Sequence, residues 1–212
     1  MNLSLRRAHI GIAVVQYWQA SFIARRLYSS NTHTTHNFYH FFPTLFPHGG
    51  PPKDPFAIDA RALKGEFLRL QSETHPDKVQ SSNDEDLRRR YELRSSHLNI
   101  AYKSLLDPLL RAQHVLLLNG IDALAEKDTL TDEDLLMEVL IARENISEVA
   151  SEEELRQLEK DNNEKLVQTE ATLERAFKDS DFELAKVETI KLSYWQNIKR
   201  QIDEMKSVLL GD

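Results

Sequence analysis

No cysteine occurs anywhere in the 212 residues. That excludes disulfides, thiolate metal sites and cysteine nucleophiles together. Glycine and proline are scarce, six and seven, and most precede residue 56, so the rest of the chain is nearly free of helix breakers. Acidic residues are missing from the first 52 positions, where Arg6, Arg7, Arg25 and Arg26 carry the only formal charges. The apolar stretch 10–24 is interrupted by Gln16 and Gln19 and flanked by arginines, too short and too polar for a membrane span. There is no glycine-rich phosphate loop, no H-E-x-x-H and no Ser/His/Asp grouping with supporting context, so no catalytic residue is assigned. A net charge of −7 without a basic stripe speaks against nucleic acid as a partner.

What is present reads as helix-rich. Apolar residues make up 41% and charged residues 29%, and the length suits two small domains or one elongated one. The amino-terminal segment, basic and Ser/Thr-bearing with apolar residues between its charges, reads as a mitochondrial presequence over residues 1–28. Arg26-Leu27-Tyr28-Ser29 resembles a matrix-processing site. A secretory signal peptide is the competing reading. Residues 29–36 follow as a polar tail, and His33, His36 and His40 belong to it and to the next segment rather than to a metal site. After Arg26 the chain carries 23 basic residues (27 less 4) against 34 acidic ones.

The central feature is His75-Pro76-Asp77, followed by Lys78. Before it, Phe56, Leu63, Phe67 and Leu70 recur at helical spacing with Arg61, Lys64 and Arg69 among them. After it, Ser82 and Glu85 have capping-box spacing, and Leu87, Tyr91, Leu98, Ala101 and Leu105 continue a helical pattern. A proline between two ionisable residues, on a loop between paired helices, makes a rigid exposed tip. Upstream, Phe38, Phe41, Phe42, Leu45 and Phe46 supply a short first helix, and the Pro/Gly stretch 47–55 lengthens its connection to the next. This arrangement over residues 37–107 resembles a J-domain, although Thr74 stands where many J-domains carry tyrosine. The resemblance implies that the tip and the basic helix dock on a seventy-kilodalton heat-shock chaperone and stimulate its ATPase, with Asp77 competing for a basic group of the chaperone. His75 is read as a hydrogen-bonding group, since nothing nearby in sequence could orient it as a base.

Past the tip, Pro108 suits the start of a helix, and Leu109 to Leu118 form a short apolar run ending at Asn119-Gly120. Residues 108–120 are therefore expected as a helix buried between two domains. A J-domain running through Leu-x-x-Pro-Leu-x-Arg-Ala into such a helix resembles the HscB family of co-chaperones. In that family the J-domain is fused to a helical domain that holds an iron–sulfur cluster scaffold. Some relatives add a cysteine-rich module, which this chain lacks.

Residues 121–212 are read as that second domain. Thr131 with Asp134, Ser151 with Glu154 and Ser180 with Glu183 mark three helix starts. Leu155, Leu158, Leu166, Leu173 and Phe177 form one stripe. Leu184, Val187, Lys191, Tyr194, Ile198, Ile202, Met205 and Leu209 form a near-heptad seam on the last helix. A turn near residues 178–181 makes the two long helices antiparallel. The expected fold is all-α, a J-domain hairpin joined to a three-helix bundle with coiled-coil-like packing.

On the helix after Asp132, positions 135, 139, 142 and 146 can face the bundle, leaving Leu136, Met137, Leu140 and Ile141 toward another side. Such a helix is fully buried or offers a partner surface. The block Leu-Met-Glu-x-Leu-x-x-Arg-Glu resembles the scaffold-binding helix of the HscB family. By that resemblance, scaffold contacts fall on Leu136, Met137, Leu140, Glu144 and Glu148, with Tyr194 completing the patch. Ile141 stands where the family often has an acidic residue. The implied function is a co-chaperone of the mitochondrial matrix with two partners, the chaperone and the scaffold, and with no cofactor, bound metal or membrane contact. Two alternatives are a general mitochondrial J-protein with another client and a helical adaptor whose His-Pro-Asp is incidental.

Overall fold

The computed structural model describes residues 36–79, 84–124 and 132–210, among which there are six α-helices and no strand. The presequence, residues 29–35 of the polar tail and the expected caps Ser82 and Thr131 lie outside these residues.

Aspartate starts most of the helices. Asp59 opens α1 (Ala60–Thr74), its carboxylate accepting from the N–H groups of Arg61 and Ala62 at 2.8 and 3.2 Å. Phe56, expected on the stripe of this helix, precedes it. Asp84 caps α2 (Glu85–Leu106) by accepting from Leu87 N–H at 2.9 Å, so the Ser82 box is not the start signal. Asp132 replaces Thr131 at α4 (Glu133–Glu148), and Asp181 replaces Ser180 at α6 (Phe182–Leu210). A full carboxylate charge beside the partial positive charge of a helix N-terminus explains the preference. Ser151 is the cap, as expected, at α5 (Glu152–Lys178), with the reciprocal bond displaced by one residue. Ser151 Oγ accepts from Glu154 N–H at 3.3 Å while the Glu154 carboxylate accepts from Ala150 N–H at 2.9 Å.

The expected first helix is a single 3₁₀ turn, Phe38–Phe41, followed by an ordered loop. Tyr39, Phe42 and Phe46 are buried there. The Asp54 carboxylate gathers the loop by accepting from the N–H groups of His48 and Gly50 at 3.0 and 2.9 Å. Gly50 has φ of +100°, and a Cβ on it would stand 2.5 Å from the Tyr39 ring, so both backbone and space require glycine. Between α1 and α2, Leu63, Leu98, Ala101 and Leu105 are buried, and Phe67 stacks on Tyr102 with centroids 4.1 Å apart.

Between the hairpin and the bundle lies α3 (Pro108–Leu118), with proline in its first turn and the Asp107 carboxylate accepting from Leu109 and Leu110. Its end follows the expected signal. Gly120 has φ of +78°, Ile121 N–H donates to Leu116 O at 2.9 Å and Gly120 N–H to Leu117 O at 3.0 Å. Leu109, Ala112, Val115 and Leu116 are buried, and so are two polar residues, Arg111 and His114. Arg111 donates from Nη1 to Leu105 O at 2.7 Å and lies over the Phe56 ring, 4.6 Å from its centroid. Phe56 in turn packs on Phe177 of α5 at 4.9 Å, Ala57 N–H donates to Glu174 at 2.5 Å, and Gln196 of α6 reaches Asp107 at 3.4 Å. His114 Nε2 accepts from Phe38 N–H at 3.0 Å, and its ring stacks on Phe38.

The long helices α5 and α6 are antiparallel. Asn162 bonds the carbonyl of Trp195 at 3.1 Å, and Glu159 pairs with Lys206 one helical stretch further on. On α5 the buried line is Leu155, Asn162, Leu166, Thr169, Leu173 and Phe177, so polar residues fill gaps in the expected leucine stripe, and Leu158 is half-buried. The first half of the α6 seam differs from expectation by one residue, while Ile198 and Ile202 are buried as expected. Ala185, Glu188, Leu192, Trp195 and Ile202 are buried, while Leu184 and Leu209 are exposed and Val187 and Tyr194 are half-buried. The branched residues drew the expected line, but small and paired polar side chains occupy the real one. Helix α4 packs on both long helices through Leu135, Val139 and Ile146, completing the three-helix bundle.

Two predictions concern this frame. Ser180 has φ of +58° in the turn after α5, where Asp181 N–H bonds Ala176 O and Ser180 N–H bonds Phe177 O. Ser180→Gly should stabilise the protein by about 1 kcal/mol, seen as a higher denaturant midpoint at unchanged slope. Burial lowers the His114 pKa to about 4 from 6.5, so the folded state keeps it neutral while the unfolded chain protonates it first. Stability from this group is present above pH 6.5 and is lost as pH falls toward 4, by roughly 3 kcal/mol. His114→Gln keeps an acceptor without the titration, so its unfolding free energy should fall less steeply than the parent's over that window.

Candidate functional site

Two separate surfaces hold the residues singled out from the sequence. The first is the tip. Pro76–Val79 form one 3₁₀ turn directly after α1, and His75 and Asp77 are both exposed. His75 Nδ1 lies 3.3 Å from Asp77 N–H and 3.2 Å from the Asp77 carboxylate. A neutral imidazole accepts from the N–H through that nitrogen, and a protonated one donates to the carboxylate instead. Either way the pair is held by its own backbone, with Lys78 N–H closing the turn on His75 O at 3.1 Å. Thr74, in the place of the usual tyrosine, is buried and bonds back to Leu70 O.

Along α1, Arg61 and Lys64 are exposed on one face, and Lys78 is exposed beside the tip. Arg69 is turned roughly 80° from that line by helix geometry. It pairs with Glu73 at 2.7 Å and Glu66 at 3.8 Å, so much of its charge is balanced within the helix. Leu68, 55% exposed, stands between Arg61 and Lys64 on their face. It was not anticipated. The available signal is its spacing of four from Lys64 and seven from Arg61, opposite the buried Leu63.

The second surface is the outer face of α4. Leu136, Met137, Leu140 and Ile141 are 43 to 59% exposed, while Leu135, Val139 and Ile146 are buried beneath them. Glu144 and Glu148 are exposed on the same face, and Glu133 joins them at its start. The result is an apolar strip with an acidic border. Trp195, the neighbour of Tyr194, is buried, and Tyr194 is the half-exposed aromatic of the two. Its side follows from helix geometry. Trp195 faces α5, and Gln196, a step of about 100° one way, reaches Asp107 at the start of α3. Tyr194 lies a similar step the other way, between the buried Ile190 and Ile198.

One contact in this region was missed entirely. Lys165 of α5 pairs with Glu138 of α4 and also stands over the Trp195 ring, 4.5 Å from its centroid. Burial lowers its pKa from the ordinary lysine value. Sequence spacing within one helix gives no sign of a pairing across three. Among the described residues, no group of three or more His, Cys, Asp or Glu side chains is placed to hold a metal ion.

Known proteins share this arrangement. The family model for the HSCB C-terminal oligomerisation domain matches residues 131–203. The mitochondrial J-type co-chaperone JAC1 of Saccharomyces cerevisiae is 35% identical over 171 residues, covering 78% of this chain and 86% of that one. The human iron-sulfur cluster co-chaperone protein HscB is 31% identical over 149 residues, covering 69% of this chain and 62% of that one. The crystal structure of human HscB matches with a TM-score of 0.71 at 27% identity, covering 82% of this chain and 84% of that chain. The solved structure of the Jac1 co-chaperone from Saccharomyces cerevisiae matches with a TM-score of 0.65 at 32% identity, covering 81% of this chain and 96% of that chain. From the tip, the bundle and these likenesses together, the chain belongs to the HscB family of J-type co-chaperones.

Proposed function

We propose that this chain is a mitochondrial co-chaperone of iron–sulfur cluster assembly that holds a cluster scaffold protein on the face of α4 and presents it to a seventy-kilodalton heat-shock chaperone. The His75-Pro76-Asp77 tip then stimulates the ATPase of that chaperone. The chain itself performs no chemistry, and neither nucleic acid nor a membrane enters the reading. Residues 1–28 serve as presequence, 29–36 as tail, 37–107 as J-domain, 108–120 as connecting helix and 121–212 as scaffold-binding domain.

The observation that carries the scaffold assignment is the exposure of four consecutive-turn apolar side chains on a helix whose other face is already buried. A general co-chaperone has no use for such a strip. Leu136, Met137, Leu140 and Tyr194 supply apolar contact, and Glu144 and Glu148 favour a basic rim on the partner. At the other end, Arg61, Lys64 and Lys78 attract an acidic chaperone surface at long range, a contribution that salt weakens, while Arg69, paired with Glu66 and Glu73, adds little. Leu68 adds an apolar contact in the middle of that face. Asp77 competes for a basic group of the chaperone, and the local His75 contact presets its position. Carrying both surfaces in one molecule raises the effective concentration of client at the chaperone.

Two variants separate the surfaces. His75→Gln should abolish ATPase stimulation while scaffold affinity, read by calorimetry, stays within about twofold of the parent. A Leu136→Ala, Leu140→Ala, Tyr194→Ala triple variant should lose at least about a hundredfold in scaffold affinity at unchanged helicity. Stimulation of the chaperone alone should persist in it. Loss of scaffold binding in the His75 variant, or full binding by the triple variant, would contradict the assignment.

A further inference from the structure

Helix α4 carries the exposed strip on one side and rests on the bundle with the other through Leu135, Val139 and Ile146. Apolar contact of this kind is non-directional, and three side chains leave the rotation of a helix loosely specified. A polar tie supplies direction. Glu138 of α4 pairs with Lys165 of α5, a side-chain tie between the helix that bears the strip and one of the long helices beneath it.

The same ammonium lies over the face of Trp195 at 4.5 Å. Trp195 is 4% exposed, and its carbonyl accepts from Asn162 Nδ2 at 3.1 Å. Ring and backbone of this residue are thus both fixed by α5, and Tyr194 is its immediate neighbour. One cation therefore touches the helix that bears the strip and the residue next to Tyr194. Its side chain is only 32% exposed, so the carboxylate and the ring face replace much of its lost hydration. Glu138 lies on the flank of α4, between the buried line and the exposed strip, which is where a tether sets rotation without covering the strip.

We propose that Lys165 is a positioning residue for the partner-binding face: by joining Glu138 to the Trp195 ring it holds α4 in the rotation in which Leu136, Met137, Leu140, Ile141 and Tyr194 form one continuous surface. This rests on the reading of that face as the scaffold site.

The test compares the full-length parent with Lys165→Met, Lys165→Arg and Glu138→Gln by hydrogen exchange and by calorimetry against an iron–sulfur scaffold protein. Lys165→Met keeps most of the side-chain volume and removes the charge. It should speed exchange of the α4 amides about tenfold, leave α1 and α2 unchanged, and weaken scaffold binding by a similar factor. Glu138→Gln should do the same. Lys165→Arg should behave as the parent, because a guanidinium satisfies a carboxylate and an aromatic face together. Unchanged α4 exchange in Lys165→Met overturns the proposal, as does faster exchange with unaltered affinity, or failure of arginine to rescue. A folded parent that binds no scaffold overturns the scaffold reading instead. The exchange arm then still decides whether Lys165 orients α4.

Discussion

Arg111 is the point on which the two halves of this molecule depend. A guanidinium left buried without compensation is strongly unfavourable, so whatever compensates it is held in place. Here its partners come from different parts of the chain. Leu105 O ends the hairpin, the Phe56 ring belongs to the loop before α1, and Asp107, Glu170 and Glu174 contribute negative charge from the start of α3 and from α5. Burial still lowers its pKa from the ordinary arginine value despite these neighbours, and burial raises that of Glu170. Phe56 passes the constraint on to Phe177, and Ala57 passes it to Glu174. Among the described residues from Asn37 onward, the hairpin, α3 and the bundle consequently form one compact unit rather than two parts on a free linker.

That constraint bears on function. The tip and the α4 strip lie on different elements and share no residue. If α3 were a flexible connection, the advantage of having both on one chain would be an effective concentration alone. A fixed connection would add orientation, because a partner held on α4, as proposed, would reach the chaperone in one pose. His114 extends the same junction to the amino-terminal side by taking the N–H of Phe38 and stacking on its ring. The loop that Asp54 and Gly50 shape is part of that support.

Much of this was legible in the sequence, and the failures have a common cause. The tip, the hairpin, the proline start and glycine end of α3 and the two faces of α4 all follow from spacing within one helix or from local backbone chemistry. The division between Leu135, Val139 and Ile146 inside and Leu136, Met137, Leu140 and Ile141 outside is a direct reading of a 3.6-residue period. What was misread needed knowledge of a neighbour. The α6 seam fell one residue off in its first half, before Ile198 and Ile202, because Ala185, Glu188 and Thr189 look like surface residues until Lys191 pairs Glu188 and other helices cover the rest. Phe56 was placed on α1 because its real partner, Phe177, is more than a hundred residues away. Lys165 and Arg111 look like ordinary solvated cations in any single helix. The helix starts are a smaller error of another kind, in which aspartate was undervalued against Ser/Thr boxes one or two positions earlier.

The central claim is that the tip and the α4 strip are held at one fixed separation. A chain without cysteine allows two to be introduced cleanly, at the exposed positions Lys78 and Glu148, for spin labelling and pulsed dipolar spectroscopy. A single narrow distance distribution is the predicted result, and Arg111→Met should broaden it while both surfaces stay folded. A broad or two-peaked distribution in the parent would contradict the account and leave the two surfaces joined only by a tether.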